Sequence, residues 1–309
     1  MTLQQMEYVL AVDRHRHFGK AAEACHVTQP TLSSMIQKLE EELDAKLFDR
    51  ARSPVRPTPL GELVIRQLRE VMAQVGAVRD VVVENRHSLA GTFRLGILPT
   101  IAPYLLPRFF PQLRRDHPEM DIRAREMKTS EVLEALAAGD IDAAIVATVD
   151  GLDEFEQTPL FYEAYLGYVS RSSPLFGGEK IRTADLAESK ELWLLGEGHC
   201  FRDQMVRFCH MTSARTSQLA YNLGSMETFM RMVESGIGVT FIPALAAEQL
   251  GEAQRELVRP FAIPVPTRQV VLLTSRHFVR LALLGALVGS VRASVPPGML
   301  RLDAAQTLV

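Results

Sequence analysis

Two cysteines nine residues apart, Cys200 and Cys209, stand in the segment LLGEGHCFRDQMVRFCH, which runs from Leu194 to His210. A cysteine acts as a nucleophile or redox centre only as the thiolate, so its ordinary pKa of about 8.5 must fall for chemistry at neutral pH. Cys200 is placed for such a fall. It follows Gly198-His199 and begins a helical stretch containing Phe201 to Phe208. A helix N-terminus and the neighbouring Arg202 both favour the anion, and His199 adds a hydrogen bond or, when protonated, a charge. Two other readings stay open. His199, Cys200, Cys209 and His210 are ligand types that suit zinc, although adjacent residues rarely point at one ion and the CxxC spacing is missing. Cysteine is also a common small core residue, which would make Cys200 a packing side chain. Cys25, amid small residues near the N-terminus, reads as a packed core thiol.

The elements that must position these groups begin with size. The chain has 309 residues, enough for about two domains. Hydrophobic residues at 47% and charged residues at 23% are ordinary for a globular protein with a sizeable core. Three cysteines are too few for a disulfide framework. No uncharged apolar run approaches the ~20 residues of a membrane span, and the first residues lack a secretory pattern, so the expected compartment is the cytoplasm, with no membrane partner. The net charge of −3 does not mark a nucleic-acid binder, so any affinity for phosphates must come from a local basic patch.

Such a patch lies near the N-terminus. Leu3, Met6, Val9, Leu10 and Asp13 read as one amphipathic helix. The stretch FGKAAEACHVTQPTLSSMIQKLEEEL, from Phe18 to Leu43, gives a small-residue helix at Ala21, Ala22 and Cys25. A second helix follows, capped by Thr28 with Pro30 in its first turn. Leu32, Ile36, Leu39 and Leu43 form its apolar face. Gln29, Thr31, Ser33, Ser34, Gln37 and Lys38 form the other, the kind of short polar side chains that reach base edges. The basic residues Lys46, Arg50, Arg52 and Arg56 then flank a turn at Ser53-Pro54 between two expected short strands. The three arginines suit phosphate or minor-groove contacts that fix position more than sequence. Thr58-Pro59 opens a long helix. Leu60, Val64, Leu68, Val71, Val75, Val78 and Val82 keep a near-heptad spacing to about Asn85, the mark of a helix that pairs with a second copy.

After Ala90-Gly91 the pattern changes to alternating strands and helices. Strands are expected at Phe93 to Leu98, Asp121 to Arg125, Ala143 to Ala147, Tyr165 to Ser170, Leu192 to Leu195, Leu219 to Leu223, Val239 to Ile242 and Gln269 to Thr274. Helices are expected at Pro103 to Asp116, Glu131 to Ala138 and Met226 to Glu234. This alternation predicts an α/β fold with mostly parallel sheets.

The N-terminal constellation resembles the DNA-binding domain of the LysR-type transcriptional regulators. The likeness is carried by Phe18, Ala21, Ala22, Val27, Gln29-Pro30-Thr31-Leu32-Ser33, Ile36, Leu39-Glu40, Leu43, Leu47-Phe48, Arg50, Thr58 and Gly61. Asp44 departs from the family's usual glycine, but aspartate tolerates a left-handed helix cap. The resemblance implies an α/β protein with three parts. These are a winged helix-turn-helix at 1–58, a dimerising linker helix at 59–89, and a regulatory domain at 90–309 that resembles periplasmic binding proteins. The last would hold two α/β subdomains, one at about 90–163 and 268–309 and the other at about 164–267. The segment Gly224 to Pro243 resembles that domain's helix-glycine-strand signature, and a generic member would bind a small metabolite between the subdomains.

The segment around Cys200 is similar to the redox segment of the family's peroxide-sensing branch, a likeness that extends to Arg16-His17-Phe18, Leu98-Pro99-Thr100 and Pro103-Tyr104-Leu105-Leu106-Pro107. It implies hydrogen peroxide as the signal, Cys200 as the peroxidatic and Cys209 as the resolving cysteine, and a reversible disulfide between them. Thr100, Thr129, His199, Arg202, Asp203 and Arg268 would form the peroxide pocket. Nine residues on one α-helix span ~13.5 Å of rise and about 900° of rotation, whereas a disulfide needs Cα atoms within roughly 4.4–6.8 Å. A helical reduced segment would therefore have to unwind on oxidation. The implied partners are double-stranded DNA at promoter operators, RNA polymerase, and further copies of the chain as dimer or tetramer. No cofactor and no metal are implied. The helix-turn-helix speaks against an enzyme such as a thiol peroxidase, because turnover has no use for operator recognition.

Overall fold

A computed structural model of the chain describes residues 1–51, 53–85, 89–187, 192–196, 200–209 and 225–309. The chain folds as two compact units, one essentially Met1–Arg86 and the other essentially His87–Val309.

The N-terminal unit consists of α1 (Leu3–His15), α2 (Phe18–Ala24), α3 (Gln29–Glu42), the antiparallel strands β1 (Phe48–Asp49) and β2 (Arg56–Pro57), and α4 (Pro59–Asn85). Each helix starts where a side chain takes up free backbone N–H groups. Thr2 Oγ1 accepts from Gln5, His17 Nδ1 accepts from Gly19 and Lys20, and Thr58 Oγ1 accepts from Gly61. Met6, Val9, Val12, Ala21, Ala22, Leu32, Ile36 and Leu39 build the core. Leu43 does not join them. It is the C-cap of α3 and is 38% exposed, so the apolar face of that helix ends at Leu39. Asp44 follows with φ of 48°, the left-handed conformation expected of it. Asp13 is buried and pairs with Arg16 and, from α4, with Arg69. Ile65 and Leu68 of α4 pack on this core, while Val71, Val75, Val78, Val81 and Val82 are exposed. The long helix thus serves its own domain in its first half and presents an apolar stripe in its second.

The C-terminal unit runs β3 (Gly91–Ile97), α5 (Ala102–Asp116), β4 (Met120–Glu126), α6 (Thr129–Ala137), β5 (Ala143–Ala147), β6 (Phe155–Val169), α7 (Thr183–Ala187), α8 (Cys200–Phe208), α9 (Met226–Glu234), β7 (Val239–Pro243), α10 (Ala244–Ala247), α11 (Glu252–Arg255), β8 (Val258–Pro260), β9 (Val265–Ser275), α12 (Leu281–Ser294) and β10 (Gln306–Leu308). The strand order is β4-β3-β5-β9-β6-β7, with β10 on β9 and β8 on β6. The expected mostly parallel sheet is not found. β3 pairs in parallel with β4 and β5, and β10 with β9, but β5–β9, β6–β9, β6–β7 and β6–β8 are all antiparallel. The reason is that β6 and β9 run back between the two halves of the domain. β6 pairs with β9 as far as Ala164 and with β7 and β8 from Tyr165 onward. Its true start is Phe155, ten residues before the expected Tyr165. Around Leu192 there is an isolated bridge to Val239 rather than a strand, and the strand expected at 219–223 lies outside the described residues. No helix among the described residues is long and apolar enough to cross a membrane.

Candidate functional site

Cys200 is the first residue of α8 and is buried, at 6% exposure. The ring of Phe201 meets Tyr165 of β6 edge-on, with centroids 5.0 Å apart. The next turn is tied down through Gln204, whose Oε1 accepts from Tyr165 Oη at 2.7 Å and whose Nε2 donates to the Thr148 carbonyl at 3.1 Å. Cys209 follows the last turn, its N–H bonded to Met205 O at 3.0 Å, and is also buried. Both thiols are free. The segment between them is helical, so the two sulfurs leave its axis on opposite sides, separated by ~13.5 Å of rise.

Behind Cys200 stands a buried polar cluster drawn from distant parts of the chain. Arg268 of β9 donates from Nη1 to Thr100 Oγ1 at 3.0 Å and from Nη2 to the Thr100 carbonyl at 2.9 Å. Its Nε and Nη2 donate to Glu163 Oε2 at 2.9 and 2.7 Å. Glu163 Oε1 in turn accepts from the N–H of Leu245 in α10, at 2.9 Å. Thr129, at the start of α6, has a buried hydroxyl oxygen with no hydrogen-bond partner. It lies near enough to the Cys200 sulfur to favour the thiolate, but the geometry falls short of a bond.

The expected fall in the Cys200 pKa is not found. Burial, the largest influence, pushes the thiol up, and Asp203 adds to the rise. Thr129, the Arg268 charge and the Phe201 N–H pull it down without winning. The helix terminus acts in the expected direction, but the cost of burying a charge, which spacing along the chain does not reveal, outweighs it. Among the expected pocket residues, Thr129 and Arg268 both act on Cys200, and Thr100 is bonded to Arg268. Arg202 is half-buried and Asp203 exposed on α8, while His199 lies outside the described residues. Glu163, Tyr165 and Gln204 were missed, since nothing in sequence separates a buried carboxylate from a solvated one. Cys209 is pushed up to about 12 by burial. Cys25 is half-buried against the N-terminal core, and burial with Glu7 nearby raises its thiol.

In the N-terminal unit, Gln29, Pro30, Thr31, Ser34, Gln37 and Lys38 are exposed on α3. Gln37 Nε2 donates to Glu41 at 2.9 Å, and Thr31 shares a hydroxyl hydrogen bond of 2.8 Å with Thr28. Ser33 is half-buried and accepts from Arg50 Nη1 at 3.0 Å. The hub here is Glu40. Its fully buried carboxylate accepts from the N–H groups of Leu47 and Phe48 at 2.7 and 3.3 Å and from Arg50 Nη2 at 3.1 Å, and Lys46 is 3.6 Å away. Arg50, stacked over Phe18 at 5.0 Å, thereby locks the wing to α3. Lys46, Arg50 and Arg56 rim an open groove of about 720 Å³ between the wing and the start of α4. Arg52 lies outside the described residues.

A helix-turn-helix with a wing, a long helix and an α/β domain define a bacterial transcription regulator. Residues 3–62 match the family described as bacterial regulatory helix-turn-helix protein, lysR family, and residues 86–296 match LysR substrate binding domain. The chain belongs to the LysR family. Within it the chain is similar to OxyR. It is 35% identical over 272 residues to the DNA-binding transcriptional dual regulator OxyR of Escherichia coli K12, covering 88% of each chain. A full-length OxyR variant from Pseudomonas aeruginosa superposes with a TM-score of 0.76 at 35% identity, over 96% of this chain and 99% of that one. Reduced OxyR from Porphyromonas gingivalis superposes with a TM-score of 0.63 at 47% identity, over 71% of this chain and all of that one.

Proposed function

We propose that the chain is a hydrogen-peroxide-sensing transcriptional regulator, switched by a reversible Cys200–Cys209 disulfide. The carrying observation is α8, which starts at one buried cysteine and is followed directly by the other, with Thr129 and the Arg268 charge acting on the first. The Cys200 thiolate attacks one peroxide oxygen. The O–O bond breaks, Cys200 becomes a sulfenic acid, and hydroxide leaves, taking a proton to become water. Four of the five Arg268 N–H donors are engaged with Glu163 and Thr100. The remaining Nη1 hydrogen would stabilise charge on the leaving oxygen, with Tyr165 as the guanidinium's other neighbour. Cys209 then attacks the sulfenic sulfur, a second water departs, and the disulfide forms. The pocket would be Thr100, Thr129, His199, Arg202, Asp203 and Arg268.

Disulfide formation removes the helical spacing of α8 and biases a two-state element. The output is the face of Gln29, Thr31, Ser33, Ser34, Gln37 and Lys38 in a major groove, with Lys46, Arg52 and Arg56 on phosphates and Arg50 holding the wing. The division of labour follows residues 1–58, 59–89 and 90–309, with self-association through the linker and RNA polymerase as the downstream partner in the cytoplasm. The test is to expose the full chain to stoichiometric hydrogen peroxide and count free thiols. Loss of the Cys200 and Cys209 thiols together, with Cys25 retained, is expected. If both stay reduced, the reading fails.

A further inference from the structure

Glu163 carries no motif, yet its buried carboxylate accepts three hydrogen bonds in the C-terminal unit. It is the register partner of Arg268 across β6 and β9, two residues before β6 turns from β9 to pair with β7 and β8. Its side chain and that of Arg268 are each 1% exposed. One carboxylate oxygen takes two guanidinium donors and the other takes the N–H of Leu245, so a single residue joins the Arg268 cation to the first turn of α10. A buried cation that also bears on Cys200 is shared between this carboxylate and that sulfur. The other polar groups of the neighbourhood include Thr100, Thr129 from α6, Tyr104 from α5 with its partner Glu227 from α9, Tyr165 from β6, and Asp203 and Gln204 from α8.

We propose that Glu163 is a positioning residue for the peroxide step: it fixes the Arg268 guanidinium so that one Nη1 hydrogen serves the reacting oxygen, and it balances that cation's field at Cys200. This rests on the peroxide reading of the same site. With Glu163 neutral, the whole Arg268 charge acts on Cys200 while the guanidinium loses its two-point clamp. The ionisation of Cys200 and its reactivity as a thiolate then change in opposite senses, an effect that simple loss of packing does not produce.

The experiment uses the full chain with Glu163→Gln and Glu163→Asp. The Cys200 ionisation midpoint is read by peptide-resolved iodoacetamide alkylation against pH, and the peroxide rate is read separately. Glu163→Gln is expected to lower the midpoint, raising the thiolate fraction at pH 7 by about tenfold, and to cut the peroxide rate per thiolate by about tenfold. Glu163→Asp keeps the charge, so it leaves the midpoint within about 0.3 unit and loses only part of the rate. A wild-type midpoint in a folded Gln variant overturns the proposal, as does an equal rate loss in both variants. Should the Gln variant not fold, the Asp variant decides: a shorter carboxylate with an unaltered rate overturns it, and a reduced rate at an unaltered midpoint supports it. The alkylation arm needs no peroxide, so a wild-type chain inert to peroxide condemns the reading of the site while the midpoints still judge Glu163.

Discussion

At Cys200 burial and local polarity pull in opposite directions, and the outcome sets how the thiol responds to pH. Desolvation dominates, ahead of the pulls from Thr129, Arg268 and the Phe201 N–H. A thiol raised above its ordinary value keeps gaining thiolate as pH climbs through that value and beyond. The peroxide rate of Cys200 is therefore expected to rise about tenfold per pH unit between pH 6 and 8, with no plateau below about 8.5. Stopped-flow rates in a Cys209→Ser background measure it without interference from the second thiol. A plateau already reached at pH 7 would show that the reacting state has a depressed value and that this buried arrangement is not it. Cys209 follows a stronger version of the same rule. Burial pushes it up to about 12, so little thiolate is present at pH 7 and, in the proposed cycle, resolution would wait until α8 opens and exposes it.

At the scale of elements, α8 is the part that the proposed disulfide could not leave as it is. Its helix holds Cys200 and Cys209 apart, and its side-chain anchors include the Tyr165–Gln204–Thr148 hydrogen bonds and the ring contacts of Phe201 with Tyr165 and Phe208 with Phe261. Oxidation must give up the helical bonds between the cysteines and, with them, these anchors. Hydrogen–deuterium exchange of residues 200–209 is expected to quicken by at least about tenfold on oxidation, with the Cys209 amide, bonded to Met205 in the reduced form, among the fastest to change. Unchanged protection in a chain shown by mass to hold the disulfide would defeat the mechanism. Legibility in the sequence follows the same division between local and long-range order. The cap at Thr28, the wing, β5 and α9 were readable because each is specified by neighbours in the chain. The antiparallel return of β6 and β9 was not, since strand pairing is decided by segments roughly a hundred residues apart. Pro159, which sits at a register shift, also breaks the alternation that would have extended β6 back to Phe155. The site divided likewise. Thr100, Thr129 and Arg268 came from resemblance, the helix start at Cys200 from local pattern, and Glu163 and Gln204 from neither, because burial of a polar side chain is a property of the fold.

At the scale of the whole molecule, the proposed function joins a sensor and a DNA-reading face in one chain, and operator reading by such a chain gains from a second copy. A single recognition helix meets only one half-site, whereas two linked heads convert the second contact into an intramolecular one. The second half of α4 presents a surface suited to such pairing. Val71, Val75, Val78 and Val82 recur at spacings of four, three and four and are all exposed, a narrow stripe that the chain's own core does not cover. Pairing two such stripes buries apolar surface at about 25 cal/mol per Å², and a charge placed in the seam reverses that gain. Val75→Glu combined with Val78→Glu is therefore expected to shift the protein toward monomer in sedimentation velocity and to weaken binding to a two-half-site operator by about 10²–10⁴-fold. Reaction of Cys200 with peroxide should stay within about twofold of wild type, because thiol chemistry belongs to the other compact unit. An intact oligomer with undiminished operator binding would move the pairing surface elsewhere. A monomer that also lost its peroxide reaction would mean that assembly shapes the thiol site itself, and that α4 carries information toward the sensor as well as away from it.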